Sequence, residues 1–127
     1  MFELDMKSRK AISDQIIENM KELIVSGVIK ADDKIPSVRE MAGQLLVNPN
    51  TVQKAYRTLE AQGYIFTVKG RGTFVADTSC LPVDSRELQE AKTQIRDSIS
   101  KLYYLGIKKT EAKDIVEQII DERGDWK

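Results

Sequence analysis

Apolar side chains recur at intervals of three and four residues through most of this chain, a spacing that predicts a mainly helical protein. The first stripe predicts a helix that ends near Ser26 and Gly27, and it consists of Ile12, Ile16, Met20, Leu23 and Ile24. Ahead of it, Phe2 and Leu4 predict either a short strand or an anchor for the terminus. We expect this helix to pack across the two helices that follow.

Two shorter helices are predicted next, with only a few residues between them. The first begins at Ser37, because its hydroxyl can accept from the Glu40 N–H while the Glu40 carboxylate accepts from the Ser37 N–H, as in a capping box. The second begins after Asn48, a strong N-cap, with Pro49 at the first helical position, and Gly63 offers the left-handed residue that ends it. Their predicted buried stripes are Val38, Met41, Ala42 and Leu45, then Val52, Ala55, Tyr56 and Leu59.

A β-hairpin follows the helix pair. Residues 64–68 and 73–75 are rich in β-branched and aromatic side chains, and Gly70, Arg71 and Gly72 make a flexible tip between them. Two short helices, a tight turn and a hairpin in this order are typical of a winged helix-turn-helix. In that fold the second helix is presented to the DNA major groove and the hairpin lies beside it.

The remainder of the chain has a different pattern. Residues 77–84, which include Cys80 and Pro82, predict a linker. Asp84 then caps a long helix whose apolar positions follow a spacing near the coiled-coil repeat until Gly106, and another helix begins near Thr110. The predicted apolar faces are Leu88, Ile95, Ile99 and Leu102 on the first of these helices, and Ile115, Val116, Ile119 and Ile120 on the second.

Two helices from about forty residues rarely form a stable core alone. Their apolar faces are therefore expected to pack against the same helices of another chain in a small homodimeric bundle, and packing back onto the DNA-binding domain is the alternative. The predicted fold class is mainly α with a small β-hairpin. It comprises a winged helix-turn-helix domain over residues 1–76, a linker over 77–84 and a two-helix dimerisation region over 85–127.

Charge is distributed unevenly, although its total is zero. The 127 residues carry 20 basic and 20 acidic side chains, so the whole chain has no net charge to attract a polyanion. Residues 34–76 hold six basic and two acidic side chains, a net charge of +4, whereas residues 77–127 hold nine and eleven, a net charge of −2. The basic charge is therefore a local surface that coincides with the winged helix.

The outward face of the second short helix is a candidate DNA-reading surface. It carries Asn50, Lys54 and Arg57, flanked by Thr51 and Gln53, and no carboxylate. Amide, hydroxyl and cationic donors suit base edges and phosphates. By itself, a polar helix face is more often simply solvated, so the functional interpretation depends on what stands beside it.

The hairpin tip favours the functional interpretation. Packing does not require Lys69 and Arg71 to be basic at an exposed tip. The negative potential of a narrow minor groove would attract both side chains, which gives an electrostatic reason for their charge. The predicted DNA-binding residues are Ser37, Arg39, Asn48, Asn50, Thr51, Gln53, Lys54, Arg57, Lys69, Gly70, Arg71 and Gly72. Amide side chains favour sequence-specific binding, because a non-specific binder would be rich in lysine all round. A winged-helix module for protein contacts or non-specific DNA architecture is the alternative.

Several motifs in fixed order resemble a known family. PSVRE, VNPNTVQKAY, LEAQGY and GRGTFV are similar to the DNA-binding domain of the GntR family of bacterial transcription regulators, and SGVIKADDKIPS extends the resemblance to about residues 3–76. VNPNTV with a short C-terminal region is most similar to the YtrA-like subfamily. The resemblance implies a dimeric repressor, an inverted-repeat operator with GT and AC steps in its arms, and a link to transporter operons.

Some positions depart from the family pattern. Arg39 matches the family arginine that approaches DNA from the preceding helix, but Pro49 and Gln53 stand at or near positions where many relatives have arginine. Asp32 replaces a usual glycine, and aspartate is among the few other residues that tolerate positive φ.

Catalysis, a cofactor and a metal site are not expected. The chain has no histidine, and a lone cysteine without an imidazole lacks the usual activation. No apolar stretch approaches a membrane span or a signal region, which predicts a cytoplasmic protein without membrane contact. Two C-terminal helices leave little room for a typical ligand pocket of about 300 Å³. A small-molecule effector between helices at the dimer interface stays open, and its identity is not encoded in any motif.

Overall fold

The computed structural model describes residues 2–79, 84–124 and 126. Within them lie five α-helices and three short strands, and the chain divides into two compact units, Met1–Leu81 and Pro82–Lys127. The helices are α1 (Ile12–Val25), α2 (Val38–Leu45), α3 (Pro49–Ala61), α4 (Ser85–Tyr104) and α5 (Lys109–Glu122), and the strands are β1 (Lys34–Ile35), β2 (Ile65–Val68) and β3 (Gly72–Val75). Cys80 and Pro82 of the predicted linker lie outside the described residues.

The helix boundaries in the first unit come from the predicted capping residues. Ser37 Oγ accepts from the Glu40 N–H at 3.1 Å and Glu40 Oε1 accepts from the Ser37 N–H at 3.3 Å, which confirms the capping box of α2. Asn48 caps α3 and Pro49 occupies its first position. Gly63, just after α3, has φ of +83°. These ends are local, since each uses donors and acceptors within three residues.

The core of the first unit forms around α3, which packs against α1, α2 and β2. Most of the predicted stripes are buried, while Ile12, Leu23, Val38 and Leu45 are half-buried at its margin. Phe2 and Leu4 form no strand and instead pack against this core, so the anchor interpretation is the correct one. The fully buried side chains of greatest volume are Ile16, Met20, Met41, Leu59, Val52 and Val75.

The hairpin belongs to a three-stranded antiparallel sheet of order β1-β3-β2. The predicted hairpin is confirmed, but the additional strand β1 was not predicted. It pairs Lys34 with Phe74 and Ile35 with Thr73. Two residues carry no periodicity that could announce a strand, and their hydrogen-bonding partners lie far along the chain. We call β2, β3 and the connecting residues 69–71 the wing.

Among the residues that the structure describes, two other than glycine have positive φ. Asp32 has φ of +70°, as its replacement of a usual glycine suggested, and its N–H donates to the Val75 carbonyl at 2.8 Å. Leu46, at the end of α2, has φ of +56° and is 87% exposed, which the sequence did not predict. A residue in the left-handed conformation commonly ends a helix, and Leu46 takes that place before the short turn to α3.

The second unit consists of α4 and α5. Asp84 Oδ1 accepts from the N–H groups of Arg86 and Glu87 at 2.9 and 3.3 Å, which confirms the predicted cap of α4. Helix α5 begins at Lys109 and has no side-chain hydrogen bond at its N-cap, Lys108, so its start is slightly earlier than predicted. Neither helix buries any residue whose burial is described.

Candidate nucleic-acid interface

Helix α3 has one buried face and one polar face, as the sequence predicted. Val52, Ala55, Tyr56 and Leu59 are buried. On the other side, Asn50, Gln53, Lys54 and Arg57 are exposed, and Thr51 is half-buried beside them. Because exposed amide and cationic side chains stand on the one face that makes no core contact, the helix can approach a groove without loss of packing.

A buried hydroxyl ties α3 to the chain ahead of α2. Tyr56 is 4% exposed and its hydroxyl donates to the Pro36 carbonyl at 2.7 Å. Desolvation by burial raises the pKa of Tyr56 well above its ordinary value, and the nearby Glu40 carboxylate raises it further. The neutral hydroxyl therefore persists at physiological pH and fixes the base of the helix pair.

A carboxylate ties α3 to the wing. Glu60 Oε1, from the last turn of α3, accepts from the Thr67 N–H of β2 at 3.1 Å. Glu40 is engaged in the capping box. Both acidic side chains of residues 34–76 thus accept hydrogen bonds from the backbone, and both are exposed.

Capping limits what two predicted DNA-binding residues can offer. Asn48 Oδ1 accepts from the Asn50 N–H at 2.8 Å, which uses one lone pair of the amide oxygen and holds the side chain against the start of α3. The cap therefore restricts how this amide can turn towards an adenine edge. Ser37 Oγ accepts from Glu40 and keeps its own proton to donate. Both residues are therefore better suited to phosphate than to base recognition.

The wing tip is exposed and cationic. Lys69, Gly70 and Arg71 are all exposed, and the Arg71 N–H donates to the Val68 carbonyl at 2.9 Å, which closes the turn. Gly70 and Gly72 have φ of +79° and +127°, conformations that a side chain would strain. Across the described part of the chain, none of the six basic side chains of residues 34–76 pairs with a carboxylate. Arg39 on α2 is exposed as well.

The described residues can also be compared with what a metal site, a membrane span or a ligand pocket requires. Among the described residues no three side chains of the metal-binding types come together, and no helix is long and apolar enough to cross a membrane. A groove of about 370 Å³ lies beside α1, lined by Ser8, Lys10, Gln15, Glu18, Asn19 and Glu22. Its lining is polar and it opens widely to solvent, unlike the concave apolar pockets that hold most small molecules.

Sequence reasoning missed the tertiary roles of Tyr56 and Glu60. Tyr56 was assigned only to the buried stripe, and Glu60 only to the charge count. No local pattern predicts either hydrogen bond, because each joins α3 to a residue outside that helix.

A tri-helical core, a helix with a carboxylate-free polar face and an adjoining cationic wing define a winged helix-turn-helix DNA-binding protein. The chain belongs to the GntR family of bacterial regulatory proteins, whose family model matches residues 12–75. This confirms the resemblance of the sequence motifs. The protein is therefore a DNA-binding transcription regulator and not an enzyme.

Relatives similar over nearly the whole chain include regulators of this family. The HTH-type transcriptional repressor YtrA of Bacillus subtilis is 37% identical over 94% of this chain and 92% of its own length. A solved structure described as a transcriptional antiterminator from Listeria monocytogenes EGD-e is 40% identical with a TM-score of 0.80, over 94% of this chain and 89% of that one. YtrA from Sulfolobus acidocaldarius, a GntR-family transcription factor, is 30% identical with a TM-score of 0.56, over 95% and 97%.

Proposed function

We propose that this regulator is a dimeric repressor that binds an inverted-repeat operator, with α3 in the major groove and the wing tip in or beside the minor groove. The observation that carries this proposal is the polar face of α3, which exposes Asn50, Gln53, Lys54 and Arg57 without a carboxylate. The name of the YtrA repressor, similar over nearly the whole chain, supports repression.

The residues of the face divide by chemistry. The exposed amides of Asn50 and Gln53 can donate and accept together, which matches the N6 and N7 edge of adenine in the major groove. Lys54 and Arg57 suit phosphates, and Arg57 also suits guanine. Arg39, Ser37 and Asn48 would contact the backbone from the side of α2, and Arg71 would approach the minor groove between its flanking glycines.

Dimerisation would come from the second unit. Leu88, Ile95, Ile99 and Ile119 are between 43% and 58% exposed in the single chain, and Leu102 and Ile115 are half-buried. Exposure of this many apolar side chains on two helices favours a protein partner that buries them. A second copy satisfies this with two-fold symmetry, and that symmetry would match an inverted repeat with half-sites about one helical turn, or a multiple, apart.

Two other targets deserve comparison. An RNA target is suggested by the relative described as an antiterminator. The A-form major groove is too deep and narrow for side chains to read, whereas the B-DNA major groove admits an α-helix, so the shape of α3 favours DNA. Non-specific DNA binding would not need exposed amides on α3, since phosphates are satisfied by cations alone.

The regulated genes and the effector extend this proposal. Similarity to the YtrA-like subfamily supports a transporter operon as the target, and action on chromosomal DNA implies the cytoplasm. Any small-molecule effector would bind between helices of the assembled dimer, because the grooves described on the single chain are wide open to solvent.

The test is competition between promoter DNA of the protein's own operon, random DNA and RNA of the operator sequence. We expect preference for the promoter duplex. Asn50→Ala should lose about 1–3 kcal/mol on the operator and much less on random DNA, because base contacts carry sequence information. Lys54→Ala is the matched control, and it should weaken both DNAs alike. Equal losses for Asn50→Ala on both DNAs would show that α3 does not read bases.

A further inference from the structure

Strand β1 brings a basic side chain to the wing from outside the hairpin. In the sheet, Lys34 stands opposite Phe74 and Ile35 stands opposite Thr73, so the Lys34 backbone lies two residues along β3 from Gly72. Its side chain reaches over Gly72. A Cβ at Gly72 would lie 2.8 Å from Lys34 Cε and 3.5 Å from Lys34 Nζ. The absent side chain of Gly72 therefore leaves the space that the lysine uses.

This position gathers three cations at one end of the wing. Gly72 directly follows Arg71, and Lys69 lies at the start of the same turn. Lys34, Lys69 and Arg71 are all exposed, and none pairs with a carboxylate within the described residues. Like charges gathered without a counter-charge repel one another, and a nearby anion would relieve that repulsion.

We infer that Lys34 is a phosphate contact of the DNA complex, supplied to the wing by β1. The inference rests on the proposed binding of DNA by α3 and the wing, and it adds a residue that the sequence motifs did not select. A phosphate is the expected partner rather than a base, because the lysine ammonium is a point charge on a flexible stem and lacks the planar fork with which arginine makes two directed hydrogen bonds.

A phosphate contact has a measurable signature. Each phosphate neutralised by a basic side chain releases counterions, so the slope of log K against log salt concentration changes by about 0.9 per contact on duplex DNA. When salt rises from 50 to 200 mM, a variant that lacks one contact should therefore show a loss of affinity about 3.5-fold smaller than the loss in wild type. Because phosphates carry no sequence information, the ratio of operator to random-DNA affinity should stay unchanged.

The experiment measures salt-dependent titrations of full-length wild type, Lys34→Met, Lys34→Arg and Lys30→Met with operator and random duplexes. Methionine keeps the stem length and removes the charge, and arginine keeps the charge. Lys30→Met is the matched control. The Lys30 N–H donates a hydrogen bond to the Asp33 carboxylate, and the Asp33 carbonyl accepts from the Val75 N–H. Val75 is at the end of β3 away from the tip, so the Lys30 backbone is held at that end of the sheet. Thermal unfolding of each variant checks that the fold is retained.

We expect the slope to fall by about 0.9 for Lys34→Met and to be unchanged for Lys34→Arg and Lys30→Met. If wild type prefers its operator, two results would overturn the inference about Lys34 and leave the proposed function intact. One is a wild-type slope in Lys34→Met, and the other is an equal fall of the slope in Lys30→Met. A fall specific to Lys34→Met in a protein without operator preference would support the contact and refute base reading. A wild type that binds no DNA would remove both proposals.

Discussion

The hydrogen bond from Tyr56 to the Pro36 carbonyl offers a quantitative test of how α3 is held. Tyr56→Phe removes the hydroxyl from a side chain that is 4% exposed and leaves the carbonyl without its 2.7 Å donor. A typical hydrogen bond contributes about 0.5–1.5 kcal/mol net, and an unsatisfied acceptor adds a desolvation cost. We therefore expect a loss of about 1–2 kcal/mol in the free energy of unfolding at pH 7.

The same hydroxyl gives the expected pH dependence. The pKa of Tyr56 is raised in the folded state from its ordinary value of 10.0. A raised pKa means that the stabilisation is fully present below the unfolded pKa and is lost as pH rises from there towards the folded pKa. Each pH unit in that window lowers the free energy of unfolding of wild type by up to about 1.4 kcal/mol, and Tyr56→Phe lacks this decrease. The two stability curves should therefore cross at about pH 11.

The assay is urea unfolding of wild type and Tyr56→Phe at pH 7, 9, 10 and 11, followed by circular dichroism. Comparing the two proteins at each pH cancels the effects of lysines and of the other tyrosines, which the proteins share. A variant as stable as wild type at pH 7 would contradict the hydrogen-bond argument. A difference between the proteins that stays constant from pH 9 to pH 11 would contradict the raised pKa.

Substitutions at four further positions test separate features of the molecule. Arg71→Ala should lower affinity and weaken any preference for A·T-rich flanks while leaving the fold intact, and wild-type binding at physiological salt would make the wing a purely structural hairpin. Ile99→Asp should give a folded monomer with roughly 10²–10⁴ weaker operator binding, and sedimentation showing a dimer would refute the interface. Glu60→Ala should weaken operator binding more than Glu60→Gln, because the glutamine amide oxygen can still accept from the Thr67 N–H of β2. Identical operator titrations of the two variants would exclude a role for Glu60 in positioning the wing. Leu46→Asn should stabilise the protein by about 0.5–1 kcal/mol in urea unfolding, because asparagine tolerates the left-handed conformation, and a destabilised variant would contradict that account.

The features that the sequence determined by itself are local. Ser37 with Glu40 and Asn48 with Asn50 define helix starts through hydrogen bonds that span three residues or fewer, so their geometry follows from the order of residue types. The buried stripes follow equally from the helical period. Together with the glycine-flanked hairpin, these signals were enough to predict the winged helix and its exposed polar face. The roles of the individual DNA-binding residues remain predictions.

The features that only the tertiary structure decided join distant parts of the chain. Strand β1 exists because β3 returns beside it, and the bonds of Tyr56 and Glu60 connect separate elements. The same is true of Lys34, which looks like any exposed lysine in the sequence and lies over the wing tip in the fold. Such contacts depend on where the chain returns in space, which periodicity and capping do not specify, because both act within a few residues of one another.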